Sequence, residues 1–185
     1  MDALTRLHDA GVNVLAFDYR GYGHSQHARP SEAHWRQDAE WAIDYLVGTR
    51  HIDAGTIVLD GTDLGANLAL EVSAKHPELA GVIVESPVQD PTGAIFNDAR
   101  ARMVPARLLV RDRYDLDAAA AALRIPALWL QPATPLSEAN WKAEGKIIDR
   151  KMMVWLYPGG DMYKQIEDPL GRWLDLVQRH ALAHN

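Results

Sequence analysis

The sequence predicts an α/β fold built on a mainly parallel, doubly wound sheet. Three observations predict it: short apolar runs alternate with helical patterns, the runs are almost continuously apolar, and turn residues follow most of them. Continuous apolar runs are typical of parallel strands that are covered on both faces. The chain has 185 residues, 48% of them hydrophobic, so we expect a single domain over residues 1–185 with a substantial core.

The predicted strands are five short apolar runs, each rich in β-branched, aromatic or other large apolar side chains. They lie at residues 12–17, 56–60, 81–85, 127–130 and 152–157. Trp129 and Trp155 fall inside two of these runs and are expected to be core residues.

The helices between the strands are predicted from capping residues and from apolar periodicity. Ser31 is expected to cap a helix that ends at Gly48 and buries one face, formed by Trp35, Ala39, Ala42, Ile43, Leu46 and Val47. Residues 64–74 predict a buried helix closed by His76 and Pro77, and residues 118–122 a further helix. The last helix is expected to begin with Asp168 as its cap and Pro169 in its first turn, with an inner stripe of Leu170, Trp173, Leu174 and Val177.

Composition argues against several classes of function. The formal net charge of −6 is spread along the chain, which disfavours binding to nucleic acid. The absence of cysteine excludes disulfides and thiolate metal sites. No apolar run approaches the ~20 residues of a membrane helix, and the first residues lack the pattern of a signal peptide, so a cytoplasmic protein is expected.

Ligands of such sheets bind at the carboxyl ends of the strands, which makes the loops there the candidate site. One of these loops reads Gly61-Thr62-Asp63-Leu64-Gly65 between a strand and a helix. This is the pattern G-x-S-x-G of a nucleophile elbow, with Asp63 where serine is expected. Another loop contains "GYGHS" without a full G-x-G-x-x-G, so no dinucleotide or other cofactor is expected.

Five pieces in order, "VNVLAFDYRGYGHS", "DGTDLGANLAL", "GVIVESP", "RIPALWLQP" and "MMVWLYPGGD", resemble the α/β-hydrolase superfamily, especially its serine esterase and peptidase-like branch. The resemblance implies an α/β-hydrolase-like fold with a reduced cap at about residues 88–124 and a shortened N-terminal part. It implies a serine at the elbow, a histidine after the last strand and an acid after the strand before it. In this sequence Asp63 stands at the serine position and Asp161 stands at or next to the histidine position. The acid position falls near Pro135. The triad that the resemblance implies is therefore degenerate. The amide of Leu64 would be one oxyanion donor.

The resemblance also implies a further strand between residues 12–17 and 56–60, which this sequence lacks. Either these two runs pair directly, or another segment or chain fills the gap, because a buried sheet does not tolerate unpaired rows of backbone groups.

Three functions are compatible with these residues. The first is a hydrolase-fold pseudoenzyme without serine-hydrolase activity, which acts by binding a small molecule or a protein or as a component of an assembly. The second is a hydrolase of esters, halides or epoxides, with Asp63 as nucleophile and either Asp161 or His24 as base. The third is a subunit of an oligomer or complex in which a partner supplies the missing strand.

Other polar residues of the rim have simpler interpretations. A zinc site of His24, His27 and His34 with Asp38 lacks a recognised ligand spacing, so no metal is expected. Arg20 is expected to form an ion pair with a nearby acid such as Asp18. Tyr157 and Tyr163 are expected either to line a residual pocket or to pack half-buried.

Overall fold

A computed structural model describes residues 2–9, 11–29, 31–88, 116–133, 151–157 and 162–184. Five α-helices and four strands lie in these ranges. In chain order they are α1 (Asp2–Asp9), α2 (Glu32–Asp44), β1 (Val58–Thr62), α3 (Leu64–Lys75), β2 (Gly81–Glu85), α4 (Leu116–Ala122), β3 (Ala127–Pro132), β4 (Lys151–Leu156) and α5 (Met162–His184).

The four strands form one parallel sheet in the order β1-β2-β3-β4. Its register sets Val58 beside Gly81 and Thr62 beside Glu85, so β1 and β2 end at the same level. Four of the five predicted strands are therefore confirmed, and β2 has the predicted bounds.

Helices cover both faces of the sheet, as the doubly wound prediction requires. On one face α3 packs against β1, β2 and β3 through a buried cluster of Ala66, Ala69, Leu70, Val82, Val84, Ala127 and Trp129. On the other face α5 packs through Trp173 and Val177, flanked by Ile166, Leu170 and Leu174. The inner stripe predicted for the last helix is thus confirmed.

Helix α2 follows its predicted start but not its predicted end. The side chain of Ser31 accepts a hydrogen bond from the amide of His34 at 3.2 Å, which is a typical N-cap. Gly48 does not end the helix. The α-helical part stops at Asp44, and a π-helical turn, Tyr45–Thr49, continues through Gly48. Val47 is 39% exposed and does not belong to the buried face.

Two further predictions are wrong. Residues 12–17 form no strand, because no described strand lies beside them to complete a ladder. Asp168 is not a cap, since α5 starts at Met162 and contains Pro169 inside it. Helix α5 begins before the proline because Ile166 already packs on the core, and this burial offsets the hydrogen bond that Pro169 cannot donate.

No helix in the described ranges is both long enough and apolar enough to cross a bilayer.

Candidate functional site

The backbone of the elbow between β1 and α3 is strained at Asp63. Asp63 occupies the N-cap position of α3 with φ 53° and ψ −118°, and its side chain makes no capping hydrogen bond. Its amide donates to the carbonyl of Glu85 at 2.9 Å, which ties the turn to the end of β2. The Asp63 carboxylate is exposed at the helix N-terminus, where the helix dipole favours a negative charge.

The glycines of the elbow have different roles. A Cβ at Gly61 would collide with the backbone of Gly65, so the tight turn requires glycine at this position. A Cβ at Gly65 would meet nothing within 4 Å. Leu64 is the first residue of α3, so its amide is among those that have no hydrogen-bond partner within the helix. Its role as an oxyanion donor stays a prediction.

A cluster of polar side chains that the sequence analysis missed lies beside the elbow. Thr62 donates from Oγ1 to Oε2 of Glu85 at 3.2 Å. Asp60 stands two residues before Thr62 on β1, and more than a third of its surface is open to solvent. The protein atoms around it still remove part of its hydration. This desolvation and then the charge of Glu85 raise the pKa of Asp60 to about 6, against an opposing hydrogen bond from the Gly61 backbone.

The signal for this cluster was in the sequence. Asp60 and Glu85 each end an apolar run, in "IVLDG" and "VIVES", and parallel strands bring their carboxyl ends together. The register that places the two acids near each other could not be predicted from the sequence.

The rim loop at residues 18–25 is fixed by hydrogen bonds to Asp18 and by Arg20. Asp18 accepts from the amide of His24 at 3.0 Å, and its carbonyl accepts from the hydroxyl of Ser25 at 2.7 Å. Gly23 has φ 53°, and a Cβ there would collide with the Asp18 carboxylate. His24 is exposed, and no hydrogen bond among the described residues joins its ring to Asp63.

Arg20 does form an ion pair, but with Asp38 on α2 and not with Asp18. Its Nε donates to Oδ1 of Asp38 at 2.6 Å, and its backbone amide donates to Oδ2 at 2.8 Å. The guanidinium also lies 4.6 Å from the ring centroid of Trp41. Asp38 is engaged in this pair, and the described residues contain no group of three or more ligands that could hold a metal.

The loops that follow β2 and β4 are held by amide side chains. Asn67, a buried residue of α3, donates from Nδ2 to the carbonyl of Val88 and accepts from its amide, both at 2.8 Å. Gln165 of α5 does the same for Tyr157, accepting from its amide at 2.8 Å and donating to its carbonyl at 3.2 Å. Tyr157 is 57% exposed, so it does not pack half-buried.

Several predicted positions lie outside the described residues. They are Asp161, the region near Pro135 and most of the predicted cap at about 88–124; the structure also does not describe the side chain of Tyr163. Roles assigned to them stay predictions.

A cavity of about 480 Å³ lies on the open side of β1. Residues 12–17 and all of β1 line it, together with apolar residues of three helices: Leu4 and Leu7 of α1, Leu68 and Ala69 of α3, and Leu170 and Leu174 of α5. Asp60 and Thr62 are the polar side chains that β1 contributes. The cavity occupies the place where the sequence analysis expects a further strand.

Comparison with known proteins gives the family of this fold. Residues 1–183 match the model of the alpha/beta hydrolase family. An uncharacterised protein of Mycobacterium tuberculosis is 34% identical over 124 residues, which cover 66% of this chain and 42% of that protein. A haloalkane dehalogenase of Mycolicibacterium paratuberculosis is 25% identical over 178 residues, covering 77% of this chain and 57% of that enzyme.

A solved structure has the same architecture. The α/β hydrolase GrgF of a Penicillium species superposes with a TM-score of 0.65 at 18% identity, covering 98% of this chain and 84% of that one. The first curated relatives are longer than this chain, whose matched region spans less than half of their length. The family match covers nearly all residues, and the parallel sheet and the strained elbow agree with it. The chain therefore belongs to the α/β-hydrolase family.

Proposed function

We propose that this chain is an α/β-hydrolase-family protein without serine-hydrolase activity, which acts by binding a ligand or as a component of an assembly. The observation that carries the proposal is the residue at the elbow: Asp63 stands there with the strained backbone of a nucleophile but without a hydroxyl. A serine hydrolase needs that hydroxyl and a base that takes its proton. Among the described residues no basic side chain is hydrogen-bonded to Asp63.

The proposal is tested with a panel of p-nitrophenyl esters of increasing acyl length. We expect the wild type and Asp63→Ala to release p-nitrophenol at the same background rate. We also expect Asp63→Ser to stay inactive, since restoring the hydroxyl does not restore the base. Saturable turnover by the wild type that Asp63→Ala lacks would contradict the proposal.

A second candidate function is hydrolysis through an ester on Asp63. Two observations favour it: the carboxylate is exposed at a helix N-terminus, and the sequence is similar to that of a haloalkane dehalogenase. In this reaction an Asp63 oxygen forms a bond to the carbon that carries the halogen, and the halide leaves with the electron pair of the broken bond. Water must then hydrolyse the ester, with Asp161 or His24 as the candidate base.

Intact-mass spectrometry after incubation with haloalkanes and epoxides tests this candidate. An adduct on Asp63 that is absent from Asp63→Asn, together with released product, would support it. An adduct without product would identify a nucleophile that lacks its base. If neither adduct nor product appears across the panel, the candidate is rejected.

A further inference from the structure

The outer edge of β4 carries backbone groups that no strand in the described part of the chain pairs with. The sheet ends at β4, whose register sets Lys151 beside Ala127 and Leu156 beside Pro132. The carbonyl of Leu156 accepts from the amide of Ala133 at 2.7 Å, so Leu156 directs its backbone groups towards β3. Because successive residues of a parallel strand direct these groups to alternate sides, residues 151, 153 and 155 direct theirs away from β3.

The same edge is closed immediately after the strand. Tyr157 is the next residue that directs its backbone outwards. Its amide donates to Oε1 of Gln165 at 2.8 Å, and its carbonyl accepts from Nε2 at 3.2 Å. The side chain of Gln165 therefore takes the place of a neighbouring strand beside Tyr157. Among the described residues, 151, 153 and 155 are the outward positions of this edge where another strand can pair.

Both faces of β4 are covered by apolar packing, while its edge lacks the usual protection. Met153 packs against the buried cluster on the α3 face, and Met152 and Val154 pack against the cluster on the α5 face. The strand contains no proline, and its one charged residue is Lys151 at the first position. Proteins normally block an apolar edge with prolines, charges or bulges, because such an edge pairs readily with another strand. The edge of β4 is therefore suited to pairing.

We propose that β4 pairs antiparallel with β4 of a second copy of this chain, about a two-fold axis beside Met153. The three outward positions are symmetric about Met153, so this register pairs residue 153 with itself and residue 151 with residue 155. Every outward N–H and C=O of the strand then gains a partner. A register centred on residue 155 would need the backbone groups of Tyr157, which Gln165 already binds.

The residue types at these positions favour a second copy as the partner. The register sets Lys151 of each copy opposite Trp155 of the other, and a cation and an aromatic residue attract each other. Because Lys151 is the only charged residue of β4, no like charges meet across the pair. The pairing joins two four-stranded sheets into one continuous sheet. It is independent of the chemistry at Asp63, which the esterase and adduct assays test separately.

Single cysteines test the register, since the chain has no cysteine of its own. The Cα atoms of a hydrogen-bonded antiparallel pair lie about 5.5 Å apart, within the range that a disulfide bridges. The two copies of residue 154 would be about 8 Å apart, which is too far. We expect Met153→Cys to form a covalent dimer under mild oxidation at least about tenfold faster than Val154→Cys.

Analytical ultracentrifugation measures the dimer itself. Met153→Pro removes an amide that has no partner in β3, so the fold should tolerate it on this edge. Met153→Ala removes the same side chain but keeps the amide. We expect the wild type and Met153→Ala to dimerise at micromolar concentration. Met153→Pro should dimerise at least about tenfold more weakly than Met153→Ala, because each copy loses the hydrogen bond that this amide donates.

Three results would overturn the proposal. They are a wild type that stays monomeric at these concentrations, equal dimerisation by the folded proline and alanine variants, and equal cross-linking through residues 153 and 154. Circular dichroism checks the fold of each variant. If Met153→Pro does not fold, the two cysteine variants decide the question.

Discussion

At the scale of single residues, Asp63 combines the backbone of an attacking residue with a side chain that cannot act as a serine does. Aspartate tolerates positive φ better than most residues, because its short polar side chain costs less strain there. The bend therefore does not depend on the reaction that the serine performs in the family. This strain was predictable from the pattern G-x-D-x-G alone, since the turn from strand to helix dictates it.

The two elbow glycines give a matched test of the bend. We expect Gly61→Ala to destabilise the protein by about 1–3 kcal/mol, because the added methyl group meets the backbone of Gly65, which cannot rotate away. Gly65→Ala, with open space around its Cβ, should be neutral or stabilise by up to about 1 kcal/mol. Urea denaturation measures both. Equal destabilisation by the two variants would contradict the geometry.

The carboxyl group of Asp60 predicts a pH dependence of stability. Because its pKa is raised to about 6 in the folded protein, the folded state binds its proton more tightly than the unfolded state does. Stability from this group is present below pH ~4 and is lost as pH rises towards 6. Above pH 6 we expect Asp60→Asn to be more stable than the wild type and to melt at a higher temperature. The gain in the free energy of unfolding should be less than about 1 kcal/mol, since water in the open cavity screens the charge.

Thermal melts of Asp60→Asn and the wild type at pH 4, 5, 6, 7 and 8 check this sign. The difference between the two proteins should shrink as the pH falls. A difference that grows at low pH would show that the Asp60 pKa is lowered instead. This property was not predictable from the sequence, because the raised pKa arises from desolvation in the folded protein and then from the charge of Glu85 on a neighbouring strand.

At the scale of elements, β2 and α3 were predictable because both are buried and their apolar residues follow one period. The segment at residues 12–17 has the same composition as a strand, yet it forms none. Strand formation needs a neighbour with matching hydrogen bonds, and composition carries no information about whether that neighbour is present. The start of α5 was mispredicted for a related reason, since the packing of Ile166 outweighs the helix-starting preference of Asp168 and Pro169.

The contact between the rim loop and α2 rests on the Arg20–Asp38 ion pair. We expect Asp38→Ala to destabilise the protein by about 1–3 kcal/mol, since it leaves the Nε and the backbone amide of Arg20 without their acceptor, while Nη2 keeps its bonds to His34 and Gln37. Lys75→Ala is the control, because Lys75 is 49% exposed and lies 3.9 Å from Glu71. Its loss should cost less than about 0.5 kcal/mol. Chemical denaturation in urea measures the free energy of unfolding of both variants. Similar losses of stability in the two variants would contradict the importance of the Arg20–Asp38 ion pair.

At the scale of the whole molecule, the sheet has the architecture of the family, while its β1 edge borders the cavity that residues 12–17 line. The family was recognisable from five sequence pieces in the right order, and four of these pieces contain the observed strands or their ends. Direct pairing of residues 12–17 with β1 is absent from the described part of the chain, and a segment or chain that fills this space stays a prediction.

The absence of serine-hydrolase activity is tested most directly by covalent labelling with a fluorophosphonate, read by intact-mass spectrometry on native and heat-denatured protein. Fluorophosphonates react with an activated serine, and we expect the native wild type to gain no mass. Stoichiometric labelling of the native protein, lost after heating, would reveal an activated serine and overturn the proposed function.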